Sequence, residues 1–362
     1  MTSVPTPSMS IGVSEDIRTK LASSEAAESL RMERFVANCF VERKWPAQQG
    51  VYYTDPETGK EREIDVISRH LLERPERHTG TGAPIINLSV ICECKSLTGQ
   101  NLIFLKGEPD RLLEGHLTDQ WLGRENHIRE LVDIIGRPSH YPKPNRRQLY
   151  SYYSDRAYPE GRAITYNLRL LPPPIALNAT AFRETKGGQN REKELDSHGT
   201  GSPFWSAIRS VLSATKAAED RFVRTMRSYT SGRNPHAYDP LELVKYDAFF
   251  FDAELLRVGC FHPVVFCKSR LFSLEGNEVG DIQSARLFIR NLDFASRYVD
   301  IVSFDTAESY IDQMISHFEI TSSSAIRKTW DTLENLKWTP GEAFAQLAKA
   351  AGATSKNKRI RR

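Results

Sequence analysis

Residues 89–96 read SVICECKS. The stretch opens as an apolar strand and then places Glu93 and Lys95 one residue apart, where a buried strand would stay apolar. Strand side chains alternate between faces, so Cys92 and Cys94 share one side while Ser89, Ile91, Glu93 and Lys95 share the other. The longer run IINLSVICECK, residues 85–95, is bounded by the polar stretch RHLLERPERHTGTGAP at 69–84, which reads as a loop. Before it, QQGVYYTD and KEREIDVIS flank the turn residues DPETGK, a hairpin signal. Alternation puts Glu63, Asp65 and Ile67 on one face of the second hairpin strand and Ile64 and Val66 on the other.

Two neighbouring strands therefore each carry acid at one end of an apolar run. Carboxylates brought together repel, and something positive must compensate. Mg²⁺ suits the role, because it is held by one or two carboxylates together with waters and substrate phosphate. The chemistry that needs such a set is phosphodiester hydrolysis. In that reading Asp65 and Glu93 hold the metal, aided by the backbone carbonyl of Cys94, and Mn²⁺ can substitute. Lys95 orients the attacking water or stabilises the negative transition state. A carboxylate from the preceding helix, Glu33 with Glu28 in reserve, binds a metal-bound water or a second metal. The plainer reading of Glu93 and Lys95 is a solvated strand end with a surface ion pair, which contributes little.

EIDV followed by ECK resembles the PD-(D/E)XK nuclease superfamily, the restriction-endonuclease-like fold. Asp65 falls on its metal-binding aspartate, Glu93 and Lys95 on its E-x-K pair, and Glu33 on the glutamate of the preceding core helix. Ile64 stands where the nominal motif has proline, and 28 positions separate Asp65 from Glu93. The resemblance implies an α/β fold with an αβββαβ core, here with a large insertion after the third strand and C-terminal helices. It also implies a Mg²⁺-dependent endonuclease, a hydrolase of phosphodiester bonds.

The rest of the chain is read around that core. Residues 1–24, rich in Ser, Thr and Pro, read as a flexible arm; 25–305 hold the core; 306–362 supply C-terminal helices and a basic tail, KNKRIRR. SEAAESLRMERFVANCFVERKW reads as one amphipathic helix with Leu30, Phe35, Val36, Cys39 and Phe40 near helical spacing. Residues 97–203 read as an irregular insertion. Helical spacing returns in PFWSAIRSVLSATKAAEDRFVRTMRS through Ile208, Leu212, Phe222 and Met226. DAFFFDAELL and HPVVFCKSRLFSLE read as strands. FDTAESYIDQMISHF reads as a helix capped by Asp305 with Glu308 completing the box, and TPGEAFAQLAKAAG as another.

Charge points to the partner. Between Arg137 and Arg191 ten Lys or Arg face three Asp or Glu, and six tyrosines are interleaved. Basic side chains neutralise phosphates and tyrosines stack on exposed bases, which nominates Arg146, Arg147, Tyr150, Arg156 and Lys186 for nucleic-acid binding. The substrate expected first is double-stranded DNA, with an RNA-directed nuclease, or a non-catalytic binding or interaction subunit of a larger complex, as alternatives. By analogy, a role in restriction or antiviral defence fits, with a homo-oligomer or a defence-system partner protein left open. Five cysteines without a CxxC pair argue against structural zinc and for reduced thiols. No apolar signal core or long apolar run is present, so the expected location is cytoplasmic, away from membranes.

Overall fold

The computed structural model describes residues 15–73, 85–97, 99–107, 172–186, 193–195, 202–231, 257–291 and 295–335. The expected strand at 247–256 and the helix after residue 338 lie outside them. The fold is mixed α/β. Helix α1 spans Glu15–Ala22, and α2 spans Glu25–Glu42. Strands β1, β2, β3 and β4 span Ala47–Thr54, Glu61–Glu73, Ile85–Lys95 and Gln100–Lys106. Then come β5 (Asn178–Lys186), β6 (Lys193–Leu195) and the long helix α3 (Pro203–Ser231). Strands β7 to β11 span Arg257–Cys267, Arg270–Glu275, Glu278–Ile282, Ser284–Asn291 and Ala295–Ser303, and α4 spans Ala307–Asn335.

Local chemistry sets the ends of α2. Ser24 is the N-cap, its hydroxyl accepting the Ala27 N–H at 3.2 Å. At the other end Lys44 turns into the left-handed region at φ 62°. The Lys44 N–H then bonds the Val41 carbonyl, the Trp45 N–H bonds that of Phe40, and the Phe40 and Trp45 rings stack, which is a Schellman stop. The buried stripe is Met32, Val36, Ala37, Cys39 and Phe40 with Glu33; Leu30 and Phe35, expected on it, are exposed.

All the strands belong to one sheet, ordered β1-β2-β3-β7-β11-β10-β5-β4-β8-β9, with β6 paired to β5. Strands β1, β2 and β3 are antiparallel neighbours, and β3 and β7 are parallel, which demands a crossover; α3 packs against both. The sheet cannot be flat. Strands β7 and β8 stand five places apart in the order, about 24 Å at ordinary strand spacing, yet only Lys268 and Ser269 join them, a reach of about 11 Å. The parallel pair β3·β7 thus bends and continues as the parallel pair β4·β8, and the sheet curls back on itself.

Two cores result. One face packs α2 and α4 through Met32, Phe40, Val66, Cys92, Cys94, Phe266, Met314 and Phe318. The other encloses α3 within the curl, through Ile67, Ile91, Phe104, Phe204, Ile208, Leu212 and Val265. Phe104, Phe182 and Phe204 meet there edge-to-face or tilted. All five cysteines are free and buried. Among the described residues no helix is long and apolar enough to cross a membrane.

Several sequence expectations are corrected. The N-terminal arm contains α1. The loop read at 69–84 begins later, because β2 continues to Glu73. The insertion is not uniformly irregular: β4, β5 and β6 lie in it and join the main sheet. Asp305 does not cap α4; it sits in a 3₁₀ turn, Phe304–Thr306, that leads into the helix. The hairpin β8–β9, closed by Gly276 at φ 61°, and strands β10 and β11 were not read from the sequence.

A buried polar chain crosses the face under α4. Tyr310 donates its hydroxyl to Asp300 Oδ2 at 2.7 Å, so its oxygen must accept from His262 Nε2, 2.9 Å away. His262 is thereby the Nε2–H tautomer, and Nδ1 accepts from the Tyr298 hydroxyl at 3.1 Å. Burial keeps this imidazole neutral, lowering its pKa from 6.5 to about 4. As pH falls, the unfolded chain takes this proton first. The stability is therefore complete above pH 6.5 and lost progressively down to pH 4, in total about 3 kcal/mol. Urea unfolding of the protein and of His262→Gln should show that this loss, between pH 7 and pH 4, is largely absent from the variant.

Candidate functional site

The three strands of the hairpin region carry the site. Alternation along β2 is not regular as expected. Ile64 and Ile67 pack in the α3 core, whereas Val66 packs in the α2 core, so the strand changes phase between them. Its neighbour changes phase at the same rung: Ala47 packs on the α2 core and Val51 on the α3 core. Register pairs Gln49 with Val66 and Val51 with Ile64, which sets Gly50 opposite Asp65. Gly50 lies at φ 59°, where a side chain strains the backbone, and a Cβ there would also meet Glu63 Oε1 at 2.9 Å, so the switch favours glycine. Gly50→Ala should destabilise the protein by about 1–3 kcal/mol in urea titrations, the cost of a strained backbone at a switch.

The consequence falls on Asp65. The β2–β3 ladder ends at the pair Val66 and Cys92. One step beyond, the Asp65 carboxylate takes the place of a backbone acceptor: its Oδ2 accepts the Cys94 N–H at 2.6 Å. In a strand the N–H and C=O of one residue point to the same neighbour, so the Cys94 carbonyl also points toward the β2 side, past the last rung. The Lys95 carbonyl points the other way and accepts the Lys268 N–H at 2.9 Å.

Glu93 and Lys95 lie on the face of β3 opposite the buried Cys92 and Cys94, as the pattern predicts. Lys95 Nζ contacts Glu93 Oε1 at 2.7 Å. This is no solvated strand end, because the Glu93 side chain is only 5% exposed. Ser210 on α3 approaches the carboxyl group with a hydrogen bond, yet Glu93 Oε2 is buried with no hydrogen-bond partner among the described residues. Burial first and the Asp65 charge second push the Glu93 pKa up to about 7, against the pull of Lys95. Burial also raises Asp65, opposed by the Cys94 N–H and Lys95. Burial works against the Lys95 charge, but the Glu93 carboxylate outweighs it and holds the ammonium above its usual value.

Glu33 approaches from α2. It is buried, accepts from the Ser29 hydroxyl at 3.3 Å, and is raised by burial and then by the charge of Asp65, with Glu63 and Lys95 also felt. Glu28, the reserve, is turned elsewhere: Lys268 at 2.6 Å and Arg31 at 3.2 Å hold it below the ordinary carboxylate range. Lys186 ends β5 and is register-paired with Gln100, five residues beyond Lys95. Arg146, Arg147, Tyr150 and Arg156 lie outside the described residues. Gly50, Ser210 and the Cys94 N–H were missed by sequence reading; a glycine inside an apolar strand pattern was the only signal for any of them.

The electrostatic balance is lopsided. Beyond burial, the Asp65 charge raises both Glu93 and Glu33, the Lys95 ammonium is felt by all three, and all three carboxyls are held above their ordinary range. Among the described residues no group of three or more His, Cys, Asp and Glu is gathered closely enough to hold a metal by side chains alone. Mg²⁺ does not ask for that, since one or two carboxylates with waters and substrate oxygens suffice. The donor set here is all oxygen, two carboxylates and one strand carbonyl, and it includes an orphaned buried carboxylate oxygen. These residues fit a hard divalent cation. No known protein family, curated protein or solved structure matches the chain.

Proposed function

We propose that the protein is a metal-dependent nuclease of the PD-(D/E)XK type, hydrolysing phosphodiester bonds in nucleic acid, DNA first. The observation that carries the reading is the rung where β2 and β3 part. There Asp65 grips the Cys94 N–H beside a buried Glu93 that has one unsatisfied oxygen and an ion-paired Lys95. The order α2, β1, β2, β3, α3, β7, with β3 and β7 parallel, supports the restriction-endonuclease-like αβββαβ core. The curl built by β4, β5 and β8 to β11 is an elaboration beyond it.

Asp65, Glu93 and the Cys94 carbonyl would hold Mg²⁺ or Mn²⁺, with Glu33 reaching it through water. Bound there, the cation would offset the carboxylate charge, acidify water and neutralise charge developing on the phosphate. The chain's own groups do the positioning. The Cys94 N–H fixes the Asp65 carboxylate, and Lys95 places a positive charge 2.7 Å from Glu93, where it can orient a nucleophile or meet the phosphate. The apolar α3 core behind Glu93 excludes water and strengthens each of these interactions.

Purified protein incubated with labelled DNA or RNA, in Mg²⁺, Mn²⁺ or EDTA, tests the proposal. Metal-dependent cutting that EDTA stops and Glu93→Gln abolishes supports it. Intact nucleic acid in every arm overturns it. Cutting of RNA alone keeps the chemistry and changes the substrate.

A further inference from the structure

We propose that Glu184 on β5 is held as a carboxylic acid whose proton bridges to the side-chain oxygen of Gln100 on β4, and that this proton is a pH-sensitive latch on the N-terminus of α3. The inference is independent of the nuclease reading. Glu184 is fully buried, and its two oxygens are differently placed. Oε1 accepts the Ser202 hydroxyl, and the Ser202 oxygen in turn accepts the Trp205 N–H at 2.9 Å, capping α3. Oε2 is buried without a hydrogen-bond partner among the described residues, and Gln100 Oε1 is in the same condition. Register brings the two together. Gln100 pairs with Lys186 and Leu102 with Glu184, so Gln100 and Glu184 are diagonal neighbours on one face of the β4–β5 ladder, a gap that long side chains span. It is the inner face of the curl, where Leu102 and Phe182 pack in the α3 core.

Two buried acceptor oxygens cannot satisfy one another, but one hydrogen satisfies both. A protonated Glu184 donates through Oε2 to Gln100 and still accepts from Ser202 through Oε1. Asp55, also buried against α3, shows what an anion requires there. It accepts from the Glu57 N–H, the Thr58 and Ser213 hydroxyls and Arg62, and these outweigh its burial and hold it below its ordinary pKa. Glu184 has the Ser202 hydroxyl alone, and burial prevails over it and raises the carboxyl. Charge around the latch is sparse. Strand β4 brings Gln100, Leu102 and Phe104 to this face, and the first charge on α3, Arg209, is turned to Glu57 at 3.4 Å. Lys186 on β5 and its partner Lys193 on β6 share the face in register. Because the folded protein keeps a proton that the unfolded chain gives up near pH 4.5, the stability from the latch is complete below that pH and lost as pH rises through the folded pKa. Ser202 stands at the head of the helix that carries Ser210 beside Glu93, so opening the latch loosens the helix that borders the acidic site.

Urea unfolding of the parent and of Glu184→Gln, from acid to alkaline pH, tests the latch. Glutamine is the neutral isostere, which donates to Gln100 and accepts from Ser202 at every pH. The folding constant of the parent divided by that of the variant should fall as pH rises, by up to about tenfold per pH unit, the limit for one proton. The His262 contribution cancels, since both proteins carry it. Infrared difference spectra, parent minus variant, should show the carbonyl stretch of a protonated carboxylic acid at acid pH and lose it at alkaline pH. A ratio that is flat or rises with pH makes Glu184 an anion in the folded protein and overturns the proposal, as does a missing carboxylic-acid band. Should Glu184→Gln not fold, Gln100→Leu serves instead. It leaves every carboxyl in place and removes the acceptor, so the difference spectrum against the parent should show that band displaced. A band in the same position with and without Gln100 overturns the bridge.

Discussion

Lys95→Ala and Glu93→Gln should each lower cleavage by roughly 10²-fold or more, while differing in metal affinity above the Glu93 pKa. Glu93 is a proposed ligand, so its loss weakens Mg²⁺ or Mn²⁺ binding together with turnover. Lys95 is a competitor for the same carboxylate, since its ammonium contacts Glu93 Oε1 at 2.7 Å. Its removal frees that oxygen and deletes a nearby positive charge. It also removes what opposes the rise of the Glu93 pKa, already near 7, so the proton becomes the stronger rival of the metal. The two effects separate with pH. Above the Glu93 pKa, Lys95→Ala should bind metal as tightly as the parent or more tightly. Below it, the variant should bind more weakly than the parent. Calorimetric titration at pH 8.5 and pH 6, with cleavage assays and melting curves, reads all of this. Two folded variants that cut at the parent rate would reduce CECK to a strand end.

How much of this was legible in the sequence depends on the range of the interaction. IINLSVICECK gave β3 to the residue, because its faces are set by alternation within one strand. The burial of Val36, Cys39 and Phe40 followed from helical period. Leu30 and Phe35 share that period, but α2 touches the sheet over a narrower stripe than its apolar residues span. Asp65 was singled out by type and misplaced by phase, since the switch at Gly50 is a property of two paired strands. The curl could not be read, because it depends on which strands pair across distances the local pattern does not encode. Strands β10 and β11 are buried on both faces, with Leu287 and Ile301 on one and Phe288 and Val302 on the other. Their Arg286 and Asp300 made them look like surface in one dimension.

That buried pair carries the largest expected stability effect. Arg286 and Asp300 are direct partners in the β10–β11 ladder. The guanidinium grips both carboxylate oxygens at 2.7 Å, reaches the Pro173 carbonyl at 2.8 Å and lies 4.8 Å over the Tyr298 ring. Asp300 is fully buried. Asp300→Ala leaves that guanidinium charged and unpaired in a buried site and removes the acceptor of Tyr310, so it should cost about 3–5 kcal/mol in urea unfolding. That is a large share of the 5–15 kcal/mol typical of a folded protein, and the variant should be partly unfolded at body temperature. Arg286→Met alone should cost less than Asp300→Ala, because a buried carboxylate can take up a proton and guanidinium cannot give one up. Arg286→Met with Asp300→Leu should recover much of the loss, since an apolar pair of similar volume avoids both desolvation costs. The pair lies on the α4 face, away from Glu93 and Lys95, so whatever fraction of the double variant is folded should cut at the parent rate. A single change at Asp300 costing under about 1 kcal/mol would mean that water reaches the pair, and that this face is not the sealed core its contacts describe.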